Sequence, residues 1–180
     1  MSASIRGLLV LALAAAPLHG QAKPVAPTNR AVGNLRDGWQ EFAAYVAQSA
    51  EDMPAEKYGF KTTPEARTFG QIIGHVAGSH YMFCAAALGD TARNEDDIEK
   101  TKTTKADLIA ALKASTAYCG RAYAQSDAAS HGAVTMFGQK HDRLWALMLN
   151  AMHDAEQYGN LLPYLRLNGL VPPSSKPSKP

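Results

Sequence analysis

The chain has 180 residues and carries 18 Lys and Arg against 16 Asp and Glu, a formal net charge of +2 at pH 7. That length makes one domain large enough to bury its own core and to fold without a cofactor. Nearly balanced charge with no clustered basic run excludes nucleic acid as a partner, because phosphate binding needs concentrated positive charge.

The first residues read as a secretory signal peptide over 1–22. Arg6 supplies a positive start, Leu8 to Leu18 an apolar core, and Gly20, Gln21 and Ala22 a small-x-small cleavage site. The core is too short for a membrane span, which needs about 20 residues. No Cys follows it to carry a lipid, and no paired Arg marks twin-arginine export. The mature protein is therefore expected from Lys23 onward, exported to the periplasm or beyond, with no stable membrane anchor.

Four helices are predicted after the leader. The first covers 28–51, with Leu35, Trp39, Phe42, Ala43 and Val46 recurring at three and four, and stops at Met53 and Pro54. The second covers 69–88, with Thr68 placed to cap it and Gly89 to close it. Residues 90–104 are charged and poor in apolar side chains, which predicts a solvated loop. The third helix covers 105–124, and the small-residue stretch 126–139, with Gly132 and Gly138, predicts a long surface turn. The fourth covers 140–167; Pro163 should kink it, and Pro172 and Pro173 forbid its continuation. No stretch reads as a strand. The reading is an all-α four-helix bundle spanning 23–173, followed by a disordered tail over 174–180 that has no apolar content.

Export changes how the two cysteines read. Cys84 and Cys119 fall on consecutive predicted helices, and an oxidising compartment permits a disulfide between them. Closing a loop of about 35 residues is worth roughly 3 to 4 kcal/mol in the chain-entropy model. Two separate buried thiols remain equally open, since spacing does not give the Cα separation.

Polar residues on the last helix suggest a site. His153 and Gln157 lie one turn apart, and Leu149, Met152, Glu156, Asn160 and Tyr164 continue the same face. A solvated face would carry Lys and Glu; His, Gln, Asn and Tyr beside Leu and Met point to a half-buried polar site. On the second helix, periodicity alone chooses His80 as the inward histidine, near the centre of the stripe formed by Ile72, Ile73, Val76, Phe83 and Cys84. His75 lies about 120° away on a face of small or flexible residues.

The stretch HVAGSHYMFC around His75 and His80, the AYC around Cys119, and YGN followed by YLRLNGLVPPSS resemble the DinB/YfiT-like family, over residues 52–175. The resemblance implies a four-helix bundle that holds one divalent transition metal, Zn or Ni, through three histidines. By position these are His75, His153 and Gln157, the last standing where the family most often has a histidine. Glu156, His80, Asn160 and Tyr164 are then alternative ligands or groups that orient the ligands. Some relatives are thiol transferases, and the family's helices often pair between chains, which implies a homodimer. Two functions follow as expectations. One is a metal-dependent hydrolase or transferase acting on a small molecule; the other is a non-enzymatic bundle that has lost the metal and binds a small molecule or a protein.

Overall fold

The computed structural model describes residues 30–91 and 93–177. The expected signal peptide and positions 178–180 lie outside them. Four long helices build the bundle: α1 (Arg30–Asp52), α2 (Phe69–Leu88), α4 (Lys105–Ala122) and α6 (Arg143–Leu167). Each of α1 and α2 packs against both α4 and α6. Among the described residues no helix is long and apolar enough to cross a membrane.

The helix ends follow the local chemistry. Thr68 accepts from the Gln71 amide while the Gln71 side chain accepts from the Thr68 amide, a reciprocal capping box that fixes the start of α2. Gly89 closes α2 in the left-handed region at φ 76°. Thr104 and Asp142 cap α4 and α6 by accepting the amides of Asp107 and Trp145. The cap of α1 comes from far away in sequence, since the Asp127 carboxylate accepts the amides of Ala31 and Val32.

Two buried clusters fill the interior. One gathers Val46, Phe69, Ile73, Leu112, Leu161 and Tyr164; the other gathers Trp39, Phe83, Cys84, Cys119, Ala146 and Leu147. In the second, Trp39 stacks on Tyr123 at 4.4 Å, and the Tyr123 hydroxyl donates to the Leu147 carbonyl at 2.7 Å. Cys84 and Cys119 are joined by a disulfide, with their Cα atoms 5.2 Å apart. It ties α2 to α4 inside the core.

Three expectations are corrected. Residues 90–104 are not simply a solvated loop, for they contain a short helix α3 (Asp96–Thr101) packed on α2. It fits there because α2 presents glycines: a Cβ on Gly74 would lie 2.8 Å from the Glu99 Cα, and one on Gly78 would meet the Glu95 carbonyl. The long turn over 126–139 holds a short helix α5 (Asp127–Ser130) and the first strand of an antiparallel hairpin, β1 (Ala133–Met136) with β2 (Gln139–Asp142). Its two-residue turn is Phe137-Gly138, both at positive φ (52° and 76°), the backbone that matches strand twist. The tail does not turn disordered at Ser174. Residues 173–175 form a 3-10 turn, the Tyr158 hydroxyl donates to Ser174 Oγ at 2.7 Å, and Lys176 pairs with Asp52 at 2.6 Å.

Candidate metal centre

Helices α2 and α6 run antiparallel through the middle of the bundle, so a step towards the start of α2 matches a step towards the end of α6. Their facing side chains bring His75 and His153 together. The two Nε2 atoms lie 3.0 Å apart, with the rings edge to face at a centroid distance of 4.9 Å. Phe83 packs against the His153 ring at 5.8 Å and helps fix its angle. His75 is only 8% exposed.

Both rings are held in the neutral form. Burial is the first cause for His153, followed by the repulsion a proton on it would meet from protonated neighbouring His75 or His80 and from the Arg67 cation, and together they push its pKa down to about 3. Burial and Arg67 also lower His75, partly offset by the carboxylates of Glu95, Glu99 and Asp96. Neutral imidazole is the form that ligates metal. Both Nδ1 atoms are buried without a hydrogen-bond partner among the described residues.

The outer nitrogen of His75 faces acids from α3. Glu99 Oε2 lies 3.8 Å from His75 Nδ1, and one ligand atom from each of His75, Asp96 and Glu99 falls within 4.8 Å of the others. Glu99 is itself held by Arg67, whose Nε donates to both carboxylate oxygens at 3.1 and 3.3 Å. Glu99 and Asp96 were not read from the sequence as site residues, because their segment lacks an apolar period. The signal that could have found them is the four-residue spacing of Gly70, Gly74 and Gly78, which opens one face of α2 to a close backbone neighbour.

The other predicted site residues divide into three groups. Gln157, 6% exposed, lies one turn beyond His153 in the wall of a cleft of about 300 Å³, and its Oε1 accepts from Asn160 Nδ2 at 3.4 Å. Tyr164 borders the same cleft but donates its hydroxyl to the Arg67 carbonyl at 2.6 Å. Glu156 is exposed. His80 belongs to a separate, fully buried network: its Nε2 lies 2.9 Å from both Asp154 oxygens, and its Nδ1 lies 3.2 Å from Ser115 Oγ. A Ser, a His and an Asp meet there, yet none is exposed, so no substrate reaches the hydroxyl.

A family model describing the DinB superfamily matches residues 34–160. The chain belongs to the DinB superfamily. Among solved structures it is similar to a DinB-like protein from Bacillus cereus ATCC 10987, at 13% identity and a TM-score of 0.67 over 78% of this chain and 95% of that one. It is also similar to a mycothiol-dependent maleylpyruvate isomerase, at 15% identity and a TM-score of 0.60 over 83% of this chain and 80% of that one. A mutant of that isomerase matches at 14% identity and a TM-score of 0.59, over 75% and 66% of the two chains. These likenesses show the fold. A search of curated proteins returns no match.

The residues fit a metal. Two imidazole nitrogens at about 2.0 to 2.1 Å from one ion stand about 3.3 Å apart at a tetrahedral angle and about 2.9 Å apart at a right angle. The observed 3.0 Å lies between these values. Without an ion the same distance suits one Nε2–H donating to the other Nε2.

Proposed function

We propose that this DinB-superfamily chain binds a divalent transition metal, zinc or nickel, through His75 Nε2 and His153 Nε2, and uses it as an exported hydrolase or transferase on a small molecule. The observation that carries the reading is the 3.0 Å approach of two neutral imidazole nitrogens, one on buried His75 and one on half-buried His153, on facing helices. Metal bound in this way polarises a substrate oxygen or activates a bound water or thiol near neutral pH. Gln157 offers an amide oxygen as a third, weaker donor, which leaves positions open for substrate, as catalytic sites require. Glu99 Oε2 stands 3.8 Å from His75 Nδ1, beyond hydrogen-bond reach, where a small shift on metal binding would let it take the Nδ1–H and fix the tautomer of the ligating histidine. Export is supported by the leader and by the Cys84–Cys119 disulfide, which suits an oxidising compartment.

A second reading rests on Gln157. With an amide in place of an imidazole, the pair becomes a plain hydrogen bond and the bundle a binding protein without metal. Zinc titration of the wild type, His153→Ala and Gln157→His separates the two. One zinc per wild-type chain, lost in His153→Ala and tightened in Gln157→His, supports the metal centre. No binding in the wild type, with binding gained only in Gln157→His, supports the second reading.

A further inference from the structure

The cleft beside the histidine pair has a chemical character that narrows what it accepts. Ile72 lies one turn before His75 on α2, and Gln157 lies one turn after His153 on α6. Because these helices are antiparallel, both steps lead the same way, to the cleft of about 300 Å³. Its lining is neutral except for Arg67. That residue also borders a larger cleft of about 640 Å³ on the other side, where Lys100 and Lys102 stand against Asp96 and Glu99.

Arg67 is held in a defined pose. Its Nε is committed to Glu99, and its backbone carbonyl to the Tyr164 hydroxyl. Among the described residues nothing bonds its two terminal nitrogens, so four N–H donors remain for a ligand. The amides at the nearby start of α2 cannot serve, since Phe69 and Gly70 donate to the carbonyls of Phe60 and Tyr58, and Gln71 donates to Thr68. Arg67 is the one charged residue lining this cleft; its guanidinium is paired through Nε with Glu99, its terminal nitrogens keep their donors, and a planar fork matches a carboxylate.

We infer that the cleft formed by Arg67, Ile72, Gln157 and Asn160 is a carboxylate subsite, and that Arg67 anchors the acid group of a small organic acid next to the His75–His153 pair. This deepens the proposed function, for which the acid would be the substrate. The fixed guanidinium sets how far the rest of the molecule extends towards the histidines. Arg67 is a binding residue here and not a metal ligand; it reaches the histidines only through Glu99, which its Nε holds, and through its charge.

The test uses butyrate and benzoate, with butyramide and benzamide as uncharged twins, titrated into the full mature protein and followed by NMR of the Gln157 and Asn160 side-chain amides. The acids should bind and shift those amides, while the twins bind at least about tenfold more weakly, as expected when a charge-assisted pair is lost. Arg67→Met should weaken the acids by a similar factor without changing zinc stoichiometry, and Arg67→Lys should recover part of the loss. Thermal melts verify that both variants are folded. Equal binding of acids and amides, no binding of any acid, or undiminished acid binding in Arg67→Met would overturn the subsite. Acid binding that depends on Arg67 in a protein that takes no zinc would keep the subsite and remove the metal reading instead.

Discussion

Replacing Gly78 or Gly74 by Ala tests how α3, with its acids, is held against His75. Alanine in a helix interior is favoured over glycine by about 0.8 to 1 kcal/mol, so at a position with free space the change stabilises. Gly38 on α1 is such a position: it is exposed, and a Cβ there has nothing within 4 Å. At Gly74 the new Cβ would stand 2.8 Å from the Glu99 Cα and 3.1 Å from its amide nitrogen. Those are backbone atoms, so no rotamer change relieves the clash and α3 must move as a body. Overpacking of this kind costs about 1 to 3 kcal/mol, which leaves a net loss of roughly 0 to 2 kcal/mol at Gly74 after the propensity gain. The loss should be larger at Gly78, where the Cβ falls on the Glu95 carbonyl itself. Urea unfolding of the three variants reads this directly, with Gly38→Ala raising the midpoint and Gly78→Ala lowering it at unchanged slope. Zinc affinity should fall with Gly78→Ala as Glu99 withdraws from His75 Nδ1. A rise in midpoint for Gly78→Ala equal to that for Gly38→Ala would mean that α3 does not sit on the glycine face in solution.

Three further predictions follow from the core. Reducing the Cys84–Cys119 bridge, or replacing both cysteines by Ser, should cost about 4 kcal/mol, the chain-entropy value for a loop of this length; at about 2 to 4 °C per kcal/mol this lowers the melting temperature by about 8 to 16 °C. A shift under 3 °C would show that the cross-link does little to the unfolded state. Asp154→Ala should cost about 3 to 5 kcal/mol in a urea titration because it strands the fully buried His80, whereas a loss below 1 kcal/mol would mean that His80 finds another partner. The pH dependence follows from His153: its unfolded value is near 6.5 and its folded value about 3, so the unfolded state binds the extra proton between them. This contribution is fully present above pH 6.5 and is lost as the pH falls towards 3, at up to about 1.4 kcal/mol per pH unit. The metal-free protein should show that slope and His153→Phe should flatten it; an unchanged slope in the variant would refute the assignment.

Much of the bundle was legible because its signals are local. Thr68 and Gly89 bound α2 as read, and Pro54 and Pro172 stand just beyond α1 and α6. What could not be read depends on neighbours. The segment holding α3 has Ile98 as its one large apolar residue, so no period marks it; it is helical where the glycines of α2 receive it. The hairpin turn uses Phe137, a residue that seldom takes positive φ, in place of the Asn-Gly pair that announces such turns. The choice between His75 and His80 was not a choice at all. Because α2 is packed against α3, α4 and α6, both histidines are buried, His80 against Asp154 and His75 against His153. Periodicity assumes one buried face and fails for a helix covered on several.

The central claim is that one ion sits between two Nε2 atoms, and nitrogen NMR of the histidine rings during zinc addition tests it most directly. The prediction is that His75 and His153 Nε2 move together to metal-bound shifts at one equivalent, while both Nδ1 atoms end up carrying the ring proton and His80 does not respond. Zinc that leaves His153 unmoved and takes His75 through Nδ1 would contradict the account and place the ion with Asp96 and Glu99 instead.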